Sequence, residues 1–182
     1  MEQTPNKPLR ISVPAPVAPV RILGLDPGLR RTGWGVIVLS GARLVHVAHG
    51  VIAPDEKAPF AERLLHLFEH ITQVIADHGP DEAAVEETFV NTNASSTLKL
   101  GHARAAALIA PAKAGLTVAE YANNVVKKAV VGAGAADKDQ VAFMIKRLLP
   151  TAGPTTADAA DALAVAITHA HHRRMRGVGA AA

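Results

Sequence analysis

Residues 21–25, 35–39 and 44–52 are short runs rich in Val, Ile and Leu, separated by glycine-bearing turns at 28–35 and 40–41. That pattern predicts three strands in an antiparallel meander. From about residue 60 to 78 the period changes. Phe60, Leu64, Leu67, Phe68, Ile71 and Ile75 recur at helical spacing, and Gly79-Pro80 ends the stripe. Residues 82–86 read as a fourth strand, 93 to about 111 as a helix, and 117–121 as a fifth strand. Helical spacing returns at 137–149 through Val141, Met144, Ile145 and Leu148, and after Gly153-Pro154 a last helix runs from about 156 to 174. Three strands followed by alternating helix and strand predict an α/β fold. Its core is a mixed five-stranded sheet, antiparallel meander first and parallel strands after, with helices on both faces. Five of the twelve prolines fall within residues 1–20, which read as a flexible extension. Residues 21–174 form one domain, and residues 175–182, ending in Gly and Ala, read as a disordered tail.

Composition narrows the chemistry. The chain has no cysteine, which excludes disulfides, zinc ribbons, iron–sulfur clusters and thiol nucleophiles and leaves a cytoplasmic location unopposed. The longest apolar stretches are broken by Arg104, Pro111 and Lys113, well short of the ~20 residues a membrane span needs. Six aromatic residues argue against a surface built on many stacked bases. The net charge is +3, yet residues 21–170 hold 14 Lys/Arg against 15 Asp/Glu, so the excess lies in the tails. Residues 89–138 stand apart, with Lys99, Arg104, Lys113, Lys127, Lys128 and Lys138 against only Glu120 and Asp137. A local excess of that size fits a polyanion-facing segment and fits an ordinary solvated surface equally well.

Four carboxylates change the picture. Asp26 follows the first strand directly, in Leu25-Asp26-Pro27-Gly28, where a turn aspartate is also ordinary. Glu86 closes the fourth strand, and Glu87 beside it points to the opposite face by strand alternation. Asp158 and Asp161 stand at i, i+3 near the start of the last helix, on one face. Thr155 or Thr156 can cap that helix, and Asp158 in its first turn suits the helix dipole without further function. Asp161 is different, because residues 159–167 are otherwise Ala, Leu, Val and Ile, the composition of a buried helix. A buried carboxylate needs a partner, and two together repel unless a cation or a shared proton lies between them. If the first and fourth strands are neighbours and the last helix packs on them, all four acids converge. Such a set, with no thiolate, suits Mg²⁺ or Mn²⁺, and two ions about 3.5–4 Å apart are the arrangement that hydrolyses phosphodiesters.

Six blocks then occur together and in order: Gly24-Leu25-Asp26-Pro27-Gly28 with Thr32-Gly33-Trp34-Gly35, Val85-Glu86-Glu87-Thr88-Phe89, Leu98-Lys99-Leu100-Gly101-His102-Ala103-Arg104, Glu120-Tyr121-Ala122, Val130-Val131-Gly132, and Ala157-Asp158-Ala159-Ala160-Asp161-Ala162-Leu163. This set resembles the RuvC family of bacterial Holliday-junction resolvases over residues 21 to about 172. The resemblance implies a ribonuclease-H-like fold and a homodimer that binds four-way DNA junctions and makes paired, symmetric, ligatable nicks. It further implies work beside a RuvA–RuvB branch-migration complex. On it, Asp26, Glu86, Asp158 and Asp161 are the catalytic metal-holding acids, and Lys127 and Lys138 lie near the scissile phosphate. Phe89 is an aromatic that stacks on or wedges against a junction base; without the family it reads as core. Lys99, Arg104, Lys127, Lys128 and Lys138 become phosphate contacts, as do Asn91 and Asn93, although Asn93 also fits a helix cap. Residues 98–110, small and apolar, are the candidate dimer helix.

The extension before residue 21 departs from the family pattern. Actin-like ATPases share an Asp-x-Gly and Thr-Gly phosphate loop, but need two such domains, more than 182 residues supply. A nuclease for RNA–DNA hybrids, or a non-catalytic junction binder, stays open from residues alone. His66 and His70 have metal-binding spacing but no visible third ligand, and His169, His171 and His172 suit the end of the last helix.

Overall fold

The computed structural model describes residues 18–87 and 93–179. The expected extension therefore lies outside the described residues except for its last three positions, and Phe89 and Asn91 lie outside them too. Strands β1 (Val20–Asp26), β2 (Thr32–Ser40) and β3 (Arg43–Ile52) form the antiparallel meander. Strand β4 (Glu82–Glu87) adds to β1 in parallel and β5 (Thr117–Ala122) adds to β4 in parallel, giving the order β3-β2-β1-β4-β5. The mixed five-stranded sheet is as the pattern predicts.

Period-two alternation along the strands divides the core between the two faces. Leu23, Leu25, Val36, Ala83 and Val85 point to helices α1 (Phe60–His78) and α2 (Ala94–Lys113). Ile22, Ile37, Ala84 and Tyr121 point the other way, to α3 (Asn123–Val131), α4 (Lys138–Leu148) and α5 (Ala157–Gly179). A capping box starts α4, where Asp137 accepts from the Gln140 backbone and the Gln140 side chain accepts from the Asp137 backbone.

Three glycines allow α5 to lie unusually close to the sheet. A Cβ on Gly24 would stand 2.2 Å from the Ala162 carbonyl, one on Gly33 1.9 Å from the Asp158 carbonyl, and one on Gly35 2.6 Å from Leu163. The alanines of α5 are the other half of this fit, because only small side chains pack at such an approach. The helix and the two strands are therefore matched surfaces.

The structure departs from expectation at three helices. The sequence pattern does not predict α3. Its sequence, Asn-Asn-Val-Val-Lys-Lys-Ala-Val-Val, is rich in weak helix formers and follows β5 with no connector. Tertiary burial of Val126 and Val130 supplies what propensity lacks, and Gly132 ends the helix at φ 89°. Helix α2 continues two residues past Pro111, since a proline removes one backbone donor and later residues still bond back. Helix α5 runs to Gly179 and not to 174.

Candidate active site

Register places the first two acids. Leu25 is paired with Val85, so Asp26 and Glu86, the next residues, end neighbouring parallel strands. Leu25 and Val85 face α1 and α2, so both acids turn to the α5 face. Helix α5 begins at this same edge. Thr156 Oγ1 accepts the Ala159 backbone N–H at 3.3 Å, and the Asp158 carbonyl lies against Gly33, the β2 partner of Asp26. Asp158 and Asp161 thus reach the strand ends from above.

The electrostatics report the crowding. Burial, then Glu86, Asp161 and Asp158 in that order, push the Asp26 carboxyl up to about 8 from 3.8, with Lys138 opposing. Burial also raises Glu86; a hydrogen bond from Asn123 lowers it, Asp161 raises it, and Lys127 and Lys138 pull it back. Asp161 is raised by burial and by Asp158 against Lys138 and Lys127. These are like charges in a desolvated corner, each disfavouring the ionisation of the next. The two lysines, Asn123, Glu86 and Asp161 line one cavity of about 70 Å³.

Two contacts here were not legible in the sequence. Asn123 Nδ2 donates to Glu86 Oε1 at 2.7 Å, from the first residue of the unpredicted α3. Arg31 Nε donates to Asp158 Oδ2 at 2.7 Å across 127 residues of chain. With Asp158 turned to Arg31 and Glu86 to Asn123, no three His, Cys, Asp or Glu side chains among the described residues converge in ligating geometry. The donor set nevertheless fits a hard divalent cation. It is all oxygen, and burial, with neighbouring acids adding to it, raises Asp26, Glu86 and Asp161 despite the two lysines.

The remaining candidates separate. Lys128 is exposed on α3. Lys99 lines a different cavity, on the α1–α2 side of the molecule. Arg104 is committed to an ion pair with Glu120 of β5. Asn93 caps α2, its Oδ1 accepting from the Ser96 backbone at 3.1 Å. His66 and His70 stack on each other, ring centroids 3.7 Å apart, and belong to no three-residue ligand group among the described residues. His169 sits at the far end of β4, bonded to Glu82, away from the acids.

A family model for crossover junction endodeoxyribonuclease RuvC matches residues 22–169, a span that holds all four acids and both lysines. The chain belongs to the RuvC family. Two curated RuvC relatives carry that same enzyme name. The one from Caulobacter vibrioides is 77% identical over 155 residues, 85% of this chain and 92% of the relative. The one from Maricaulis maris is 64% identical over 163 residues, 90% of this chain and 98% of the relative. Among solved structures, T. thermophilus RuvC in complex with a Holliday junction substrate superposes with a TM-score of 0.80 at 34% identity, covering 86% of this chain and 96% of that one. The RuvC fold is ribonuclease-H-like, as the sequence blocks implied.

Proposed function

We propose that this chain resolves four-way DNA junctions as a metal-dependent crossover junction endodeoxyribonuclease, hydrolysing phosphodiesters in a symmetric pair of strands to leave ligatable nicks. The observation that carries the reading is that Asp26 and Glu86 end neighbouring parallel strands beside the start of α5, near enough for Glu86, Asp161 and Asp158 each to raise the Asp26 carboxyl. Those four are the metal-holding residues, for Mg²⁺ or Mn²⁺, two ions per site. When bound, the ions supply activation of water and neutralisation of charge developing on the phosphate.

The chain's own groups do the rest. Asn123 fixes one oxygen of Glu86 and so directs the other into the site. Lys127 and Lys138, on the wall of the small cavity, offer ammonium groups where phosphate charge builds up. Lys99, Arg104 and Lys128, with Asn91 and Asn93, are the wider DNA contacts, and Phe89 meets bases at the junction centre. Phosphate contacts set position and affinity, not sequence.

A four-way junction has two-fold symmetry, and a homodimer with one site per subunit matches it. Exposed Leu98 and Ile109 on α2, with Leu65 on α1, support that face as the dimer contact. Family membership supports partnership with a RuvA–RuvB branch-migration complex and a cytoplasmic setting. No helix among the described residues is long and apolar enough to cross a membrane.

The test is cleavage of a labelled mobile four-way junction, with linear duplex and RNA–DNA hybrid as controls, in Mg²⁺, in Mn²⁺ and in chelator. Paired, religatable, metal-dependent nicks confined to the junction are the expected result. Cleavage of the hybrid or the linear duplex instead overturns the substrate.

A further inference from the structure

A second, larger cavity of about 320 Å³ opens beside the loop that follows Asp26. Its lining holds Leu29 and Arg30 from that loop, Glu56, Arg63 from α1, and Ser96 and Lys99 from α2. Among the described residues, three cationic side chains thus line it against one carboxylate.

We infer that this cavity is a subsite for a backbone phosphate of the junction, distinct from the scissile one. The inference rests on the proposed nuclease activity and names where a flanking stretch of strand is held. Each cation is in a different condition, and the differences point to an anion. Arg30 forms a two-pronged pair with Glu56, at 2.9 and 2.6 Å, which fixes its guanidinium while leaving one terminal nitrogen outside the pair. Arg63 Nη2 donates to the Leu29 carbonyl at 2.9 Å, which ties the loop to α1, and its Nε is buried without a partner among the described residues. A buried donor without a partner is costly, so an oxygen acceptor that reached it would be favoured. Lys99 is exposed and has no ion-pair partner among the described residues. Among the described residues the lining offers cationic and hydroxyl donors and no aromatic ring. A phosphate oxygen matches these donors.

The position of the cavity points the same way. Arg30 and Arg31 are consecutive and serve opposite sides of one loop, Arg30 in this cavity and Arg31 on Asp158. A phosphate held here would be gripped by the loop that leaves Asp26, and so would set the register in which the strand crosses the four acids.

The experiment measures junction binding in chelator across a salt series for wild type, Lys99→Ala, Arg30→Gln and Arg63→Lys, with Lys146→Ala, on α4, as a charge-matched control. Each phosphate contact contributes about one counterion to the slope of log affinity against log salt. Lys99→Ala and Arg30→Gln should each lower that slope by about one and weaken binding several-fold, while Lys146→Ala leaves both unchanged. Arg63→Lys keeps the charge but loses the buried donor, so it should weaken binding with little change in slope. Single methylphosphonate substitutions along the strands should find one phosphate whose neutralisation weakens wild type and is silent in Lys99→Ala. Folded variants that bind with wild-type slope overturn the subsite while the nuclease reading stands. An equal loss in Lys146→Ala overturns it as well, by reducing the effect to net charge. Wild type that neither prefers nor cuts the junction brings down both readings together.

Discussion

Strand β4 carries an acid near each end, and the molecule treats the two ends in opposite ways. At Glu82 every charge is answered. His169 Nε2 lies 2.8 Å from one carboxylate oxygen, Arg173 Nε donates to the other at 2.9 Å, and Tyr121 Oη lies 2.9 Å from His169 Nδ1. Burial alone would raise the Glu82 carboxyl, but the hydrogen bonds from Arg173 and His169 outweigh it and leave it lowered. At Glu86, four residues along, burial wins and the carboxyl is raised, with Asp161 adding to the rise despite Asn123 and two lysines. The same helix α5 faces both ends, with its cations at one and its acids at the other. An acid supplied with cations by its own chain is a structural tie. The acids at the other end, raised by burial and by one another, are the ones proposed to hold a cation from outside.

The largest effect expected from breaking this contrast is at the open end. Asp26→Asn should cut junction cleavage by more than about 100-fold, the upper range for residues that only orient a metal ligand, while junction affinity in chelator stays near wild type. The same variant should be more stable than wild type without metal, because it removes a buried carboxyl and its repulsion by neighbouring acids. The two ends also predict opposite pH trends. Asp26 binds its proton more tightly folded, near 8, than unfolded, near 3.8, so its contribution is complete at low pH and is lost as pH rises through about 8. Glu82, being lowered, contributes above its unfolded value of 4.5 and loses that contribution as pH falls through its folded value. Thermal melts in chelator should show the first trend vanish in Asp26→Asn and the second in Glu82→Gln, and saturating Mg²⁺ should flatten the first in wild type.

At the closed end, Glu82→Gln should cost about 1–3 kcal/mol, a few degrees in Tm, because His169 and Arg173 lose the carboxylate they answer. Turnover per folded molecule should not change, which separates a tie from a catalytic group. Asn123→Ala comes next. It frees Glu86 without removing it, and should weaken divalent-ion binding, read by calorimetry, by about 10-fold. The smallest effect belongs to Arg31→Ala. That pair is half exposed and worth at most about 1 kcal/mol in the metal-free protein, and its loss should slightly tighten Mn²⁺ binding by releasing Asp158.

The contrast itself was only partly legible in the sequence. Strand alternation and the stripe from Phe60 to Ile75 have a local cause, side-chain period, so the sheet and α1 could be read directly. Asp26 and Glu86 could be read because each stands one residue past a recognisable apolar run. Helix α3 could not, since its stability comes from burial of Val126 and Val130 and not from its own residues. With α3 unseen, Asn123 had no reason to reach Glu86. The pairs Arg31–Asp158 and Glu82–His169 join positions 127 and 87 residues apart, and no pattern in one chain encodes such a meeting. His169 could be placed only at a helix end, and the end proved to be the wrong one for metal.

The seam between α5 and the first two strands has a consequence for how this enzyme changes over generations. Chemistry is the familiar reason for a position to refuse substitution, but Gly24, Gly33 and Gly35 carry none, and a Cβ on any of them would stand under 3.0 Å from α5. A single methyl group at Gly33 would collide with the backbone of Asp158 itself, and no repacking of side chains relieves a backbone clash. Substitution at these glycines therefore has to be matched by a movement of α5 away from the sheet. A library that randomised only the acids and lysines would miss the residues that hold the helix where those acids are useful.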